Sequence, residues 1–368
     1  MPSESGGNMS KSLTFLGFLA LILLTASRGL ADDTNYWAPR GVPGQDSGVM
    51  KTIEQVEPRI VISSLPYFIT NSGSYYLTCK LVATNATAGI TISADDVKLD
   101  LNGFSLNGMT NQNTSQNGCS GIWIANNPPH YNIIIKNGVI RGWGWYGIFG
   151  TNASETTIEN VKLYGNGLSG IVIGPNAMID NCCLYNNGHR STGTMPLNPT
   201  FNDGIRADDY STVRECKARF NGGSGIYISF GGRVTGCTSC ENLANGIFAE
   251  SYSSIKDCLI IGNSGGGISV QSQCRVIDNT CGRKMNTMGM GIRVDGTGNR
   301  IENNNVTGNQ YGIQVTSGGS SNLITCNSAS GNMYDFDMAN SNLNSFGDIV
   351  PVAGGSVSNS NPWANFKF

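Results

Sequence analysis

The stretch that decides the fold runs from Gly204 to Val270: GIRADDYSTVRECKARFNGGS (204–224), GIYISFGGRVTGCTSCENLAN (225–245), GIFAESYSSIKDCLIIGNSGG (246–266) and GISV (267–270). The Gly-Ile openings at Gly204, Gly225, Gly246 and Gly267 are each 21 residues apart. Cys216, Cys237 and Cys258 keep the same step, and so do Asn221, Asn242 and Asn263. Related Gly-apolar segments occur ten times between Gly89 and Val315. Three residue types sharing one period mark a stacked solenoid, in which each repeat buries its apolar face against its neighbours.

The alternation inside a repeat says which solenoid. Ile226 and Ile228, or Ile268 and Val270, stand two apart, so both turn to one face of a strand while the residue between them turns outward. A Gly, Ser or Asn turn follows, then a second apolar position at Val213, Val234, Ile255, Val276, Ile301 and Ile324. Three residues later comes a Cys or Asn (Cys216, Cys237, Cys258, Asn279, Asn304, Asn327), then a third short segment. Three strands in so few residues leave no room for helices, so each repeat reads as one triangular coil paired in parallel with the next. On these features the chain resembles the right-handed parallel β-helix family, the fold of pectate lyases and many secreted polysaccharide enzymes. The expectation is an all-β, single-stranded right-handed parallel β-helix of about ten to eleven coils. Forty-nine glycines and only 13% charged residues suit such a fold of tight turns. Asn in an inward turn bonds the next coil, and Cys182, Cys216, Cys237 and Cys258, standing where later coils carry Asn, are expected to be stacked buried thiols.

Four segments are expected: a signal peptide over 1–31, a flexible leader over 32–59, the β-helix over 60–345 and a capping tail over 346–368. Lys11 precedes the apolar run Leu13 to Leu24, and Gly29 and Ala31 suit a signal peptidase, so cleavage after Ala31 and export to the surface, periplasm or medium are expected. The run is too short for a comfortable membrane span, and no second one follows. The stretch GITISADDVKLDLNGFSLNG resembles the opening of many exported β-helix proteins, which supports fold and export without adding chemistry. The aromatic tail with Trp363, Phe366 and Phe368 is expected to fold over the solenoid end. Net charge is −2, which makes nucleic acid a poor partner. Export permits disulfides, Cys79 with Cys119 being one candidate pair. Cys237 and Cys240 read as CxxC, yet Cys237 already belongs to the repeat, so no metal is assigned there.

Function must come from outward positions. Counting each Gly as zero, the plus-two column reads Trp123, Phe149, Val172, Arg206, Tyr227, Phe248, Ser269, Arg293, Gln314. The plus-four column holds Asp208, Ser229, Glu250, Gln271, Asp295, Thr316. Aromatics mixed with charges on one sheet suit a polysaccharide, with Trp123, Phe149, Phe248, Arg293, Asp295 and Lys284 as binding candidates. Two repeats are overlong: Gly170 to Gly204 spans 34 residues and Gly267 to Gly291 spans 24. Their excess loops carry His189, Arg283 and Lys284 and are expected to wall a groove floored by Arg206, Asp208, Tyr227 and Glu250.

Two chemistries fit. Asp208 and Glu250, two coils apart, have backbones about 9.6 Å apart, within reach of the carboxyl spacing of an inverting glycosidase. Alternatively Arg206, His189 or Lys284 neutralises a uronate and removes its C5 proton, with Tyr227 as the acid, in a β-elimination. The family's polygalacturonase branch uses Asp-rich and Gly-His-Gly motifs; NDGIRADD (202–209) echoes the first, and no Gly-His-Gly occurs. Its calcium-dependent pectate lyase branch implies an acidic cluster with a catalytic Arg, matched in part by Asp203, Arg206, Asp208 and Asp209, so calcium is the one cofactor considered. Arg206 with Asp208, and Arg293 with Asp295, read equally as plain surface ion pairs. Trp143 and Trp145 read equally as a sugar platform or as packing against the turn. His130 is expected on an exposed turn, and Asp95 and Asp96 in turn chemistry. A non-catalytic surface or matrix rod is the rival reading, since this scaffold does not dictate chemistry.

Overall fold

The computed structural model describes residues 58–84, 88–109, 119–188, 202–282, 289–339, 341–352, 354 and 359–368. The segments expected as signal peptide and leader, 1–31 and 32–59, lie almost wholly outside them. Among them no helix is long and apolar enough to cross a membrane.

The paired branched residues of each Gly-Ile segment are buried completely, Ile205, Ile226, Ile228, Ile247, Ile268 and Ile292 among them. Each contributes about 1.5–3 kcal/mol through removal from water. Their strands stack in a single parallel sheet of 12, from Tyr67–Ile69 to Tyr334–Met338. Two further faces carry strands such as Arg233–Thr235 and Thr238–Cys240, each in parallel register with the coils above and below. These two faces merge where Ile133–Arg141 and Thr157–Tyr164 run through the corner as continuous strands. The chain is thus a single right-handed parallel β-helix of about eleven turns.

All three corners use one device, a residue in left-handed backbone followed by an inward polar or thiol side chain. Glu215, Gly236, Asp257, Asp278 and Asn303 adopt positive φ ahead of Cys216, Cys237, Cys258, Asn279 and Asn304. At the next corner Phe220, Glu241 and Gly262 do the same ahead of Asn221, Asn242 and Asn263. The inward amides form ladders that satisfy the buried turns: Asn187 Nδ2 donates to Asn221 Oδ1 at 3.1 Å, Asn221 to Asn242 at 2.9 Å and Asn242 to Asn263 at 2.9 Å. The thiols take the same inward place in the neighbouring ladder, and Cys258 N–H donates to Asn279 Oδ1 at 3.0 Å where the row changes from Cys to Asn. Glycine opens the Gly-Ile strands because coils approach closely there; a Cβ on Gly204 would meet the Gly225 carbonyl oxygen at 2.6 Å.

In the tail, Asn365–Lys367 pairs in parallel with Ser328–Ser330 and with Ile349–Pro351. Asn365 adds a rung to the Asn304–Asn327 row by accepting from Asn327 Nδ2 at 3.1 Å. Trp363 and Phe368 stay exposed.

Two minor expectations are corrected. His130 is only 4% exposed; its strand pairs with Ala153–Ser154, and its Nδ1 lies 3.0 Å from Asp95 Oδ1. The Tyr131 backbone N–H and then His130 hold the Asp95 carboxyl below its ordinary range. Cys79 and Cys119 form no disulfide, Cys79 being exposed and Cys119 buried.

Candidate functional site

The plus-two residues do form one column. Strand register places Trp123, Phe149, Val172, Arg206, Tyr227, Phe248, Ser269, Arg293 and Gln314 side by side on successive coils. Asp208, Ser229, Glu250, Gln271, Asp295 and Thr316 follow at the strand ends, their N–H groups bonding the coil before. Not every member is open to solvent. Val172 is covered by Tyr146 and Leu168, with Trp145 and Phe149 beside them. Ser269 is buried beside Asp295, to which its hydroxyl donates at 3.4 Å, and Ser229 is buried too. Alternation orders a side chain outward, but a neighbouring corner can still cover it. Trp143 is buried, its indole N–H donating to the Leu106 carbonyl at 3.2 Å, which settles it as packing.

Rings stack along the column. Trp123 and Phe149 lie 4.6 Å apart between centroids and Tyr227 and Phe248 5.1 Å apart, both near parallel. The Arg206 guanidinium sits 3.6 Å from the centre of the Tyr227 ring, a cation–π contact. The Tyr227 hydroxyl donates a short hydrogen bond to Glu250 Oε1 on the next coil. Burial, then this bond, pushes the Tyr227 phenol up to about 12.

Arg206 pairs with Asp203, at 3.4 Å from Nη1 to Oδ2. The Asp203 carboxyl is 6% exposed, and its other oxygen accepts the Ser224 N–H at 2.7 Å. Burial raises it to about 6, against the opposing pull of those two partners. Asp208 is exposed. Asp209 accepts the Phe230 N–H at 3.2 Å, and its carboxyl is raised first by burial, then by the negative charge of Asp208, with Glu250 adding to it. Carboxylates from two coils therefore share one field at this edge.

Further along, Arg293 Nε lies 2.7 Å from Asp295 Oδ1, as the ion-pair reading expected, and Gln314 donates to Asp337 at 2.8 Å. His189, Arg283 and Lys284 lie outside the described residues, and so do the loops expected to wall the groove. Among the described residues no group of His, Cys, Asp or Glu is arranged to hold a metal. Asp203 is taken up by the Ser224 N–H and by Arg206, and with Asp208 and Asp209 it makes no such group.

The columns after each glycine leave out the residue before it, where Tyr146 and Asp203 stand; sequence reasoning named Asp203 only as part of the acidic set and missed Tyr146. Burial pushes the Tyr146 phenol up to about 12, with the Arg206 charge opposing, so Arg206 lies within the field of both tyrosines.

The sequence pattern described as "Right handed beta helix region" matches residues 68–203 and 198–329. No curated protein matches the chain. Among solved structures, the Dettilon tailspike protein is 16% identical over 76% of this chain, with a TM-score of 0.58, and the match spans only 60% of that protein. The A-module of the Azotobacter vinelandii mannuronan C-5 epimerase AlgE6 is 14% identical over 82% of this chain and 81% of its own, with a TM-score of 0.57. The A-module of AlgE4 from the same organism is 16% identical over 76% and 80%, with a TM-score of 0.53. At such identities the likeness concerns the fold. The inward repeat, the matched pattern and the shared coil geometry agree: this chain belongs to the right-handed β-helix family.

Proposed function

We propose that the outward strip of the Gly-Ile sheet binds a polysaccharide and that the edge formed by Asp208, Tyr227 and Glu250 cleaves it by hydrolysis, in a protein exported by its N-terminal segment. The observation that carries this reading is the Tyr227 to Glu250 hydrogen bond inside an acidic field. The Tyr227 hydroxyl fixes one oxygen of Glu250, which holds that carboxyl in place as the base that activates water. Asp208, two coils away, is then the acid that protonates the glycosidic oxygen, at a separation in keeping with inversion. The stacked pairs Trp123–Phe149 and Tyr227–Phe248 offer flat apolar faces on which sugar rings lie.

The same charges weigh against β-elimination of a uronate. Asp208, Asp209 and Glu250 gather at the edge, and Arg206 is already drawn onto Asp203. A polyuronate brings further carboxylates into that field. The epimerase modules are described as acting on mannuronan, and that likeness, at 14% and 16% identity, supports a polysaccharide-facing scaffold without carrying the substrate over.

The rod reading is favoured by one observation. Arg293 with Asp295, and Gln314 with Asp337, pair among themselves, so the C-terminal half of the strip is satisfied without a ligand. Incubating the purified protein with a panel of neutral and anionic polysaccharides separates the readings. New reducing ends without ultraviolet-absorbing unsaturated ends support hydrolysis, absorbing ends support elimination, and no product on any substrate leaves the rod.

A further inference from the structure

We infer that a second sugar-binding platform, formed by Tyr210, Phe230 and Tyr252, continues the strip around the corner of the helix and takes a neutral glycan chain. The inference rests on the polysaccharide reading of the strip and adds a subsite to it.

The three rings form a continuous run over consecutive coils. Tyr210 and Phe230 meet edge to face with centroids 5.7 Å apart, and Phe230 and Tyr252 are tilted at 48° with centroids 4.8 Å apart, so each exposed tyrosine offers its own ring rather than part of one flat surface. Tyr210 is 60% exposed and Tyr252 56% exposed, so both residues are within reach of a ligand. Exposed aromatic rings gathered on one edge call for an explanation beyond a solvated turn.

The backbone under these rings makes the choice of residue more telling. The left-handed stack at this corner reads Asn176, Tyr210, Gly231, Tyr252, Gln273, Gly298 and Ser321, all at positive φ. Gly and Asn are the residues that occupy such backbone at least cost, and bulky side chains there store strain. Two tyrosines flank Gly231, and a Cβ at Gly231 would meet Tyr210 Cδ1 at 2.8 Å. The missing side chain is what lets the Tyr210 ring lie down over the coil and reach Phe230. Phe220, a comparable left-handed aromatic, meets Tyr185 edge to face in the same way and differs in having Arg219 5.3 Å from its centre. Among the described residues, Tyr210 and Tyr252 share Phe230 as their ring neighbour and have no cation over their faces.

Position ties the platform to the strip. Tyr210 follows Asp208 and Asp209 directly, and Tyr252 stands two residues after Glu250. Tyrosines two coils apart span about 9.6 Å, the scale of two sugar units. The carboxylates beside them select the ligand class. A neutral chain offers hydroxyls to the carboxylates and ring faces to the tyrosines, whereas an anionic chain is repelled.

The test is affinity electrophoresis of the full chain in gels containing hydroxyethyl cellulose, xylan or polygalacturonate. The variants are Tyr210→Asn with Tyr252→Asn together, Phe248→Ala, and Glu250→Gln. Asn already occupies this stack at Asn176, so the double variant is expected to keep the wild-type melting temperature. Retardation of the wild type by a neutral glycan, weakened at least tenfold in the double variant, supports the platform. Retardation unchanged in the double variant overturns the platform alone, and the strip stands if Phe248→Ala still weakens it. Retardation by polygalacturonate only overturns the neutral class. No retardation in any gel, with no cleavage, overturns strip and platform together.

Discussion

Tyr227 and Glu250 meet across two neighbouring coils, the phenol donating to the carboxylate while Phe248 stacks on the same ring. Neither side chain enters the core, so the pair is separable from the fold. Glu250→Gln is expected to lower turnover at least about a hundredfold with binding kept, and to change stability by no more than about 0.5 kcal/mol. Tyr227→Phe keeps the ring stack and removes only the donor, so a smaller loss is expected. Steady-state rates and melting curves of both variants check this; wild-type rates in Glu250→Gln would remove Glu250 from the mechanism.

The Tyr227 phenol also sets an alkaline signature. Its folded value is raised to about 12, above the ordinary value of 10.0. The folded state therefore holds the proton more tightly than the unfolded chain, and its contribution to stability is full below pH 10 and lost as pH rises towards 12. Ultraviolet titration of wild type against Tyr227→Phe should show one late-ionising phenol missing in the variant.

Asp203 predicts a second pH window with the same sign. Its carboxyl is raised from 3.8 to about 6 by burial, so the folded state again binds the proton more tightly. Stability from this group is full below about pH 4 and declines as pH rises through 6. Asp203→Asn should flatten that decline in denaturant unfolding series between pH 4 and 7. An equally steep decline in the variant would show that other groups cause it.

Cys216, Cys237 and Cys258 are nearly inaccessible in consecutive coils. Burial in an apolar row keeps such thiols inert. A thiol reagent added to native protein should label Cys79, which is exposed, and leave these three until the chain unfolds. Cys237→Ser should cost about 1–3 kcal/mol, since a hydroxyl fills less volume and seeks partners that sulfur does not. Rapid native labelling of Cys237 would contradict the register.

The amide ladder gives a larger effect. Asn242 accepts from both the backbone and side-chain N–H groups of Asn221 and donates to the Ala218 carbonyl at 3.2 Å. Asn242→Ala leaves several buried groups unpaired at once, and about 3 kcal/mol or more of destabilisation is expected. Chemical denaturation of the variant measures it; a loss below about 1 kcal/mol would mean the corner relaxes to let water in.

What the chain states by itself is whatever repeats along it. The step of 21 residues, the inward Ile pairs, the Asn and Cys rows and the outward column from Trp123 to Gln314 follow from local alternation multiplied by a constant period, and strand pairing preserves that period in space. Contacts between coils decided the rest. The pairing of Arg206 with Asp203 rather than Asp208, the burial of His130 and Val172, and the placing of Tyr210 over Gly231 depend on which neighbouring corner covers which side chain. Such covering is fixed by rotamers and by left-handed corner residues from different coils, and a one-dimensional period carries no record of either.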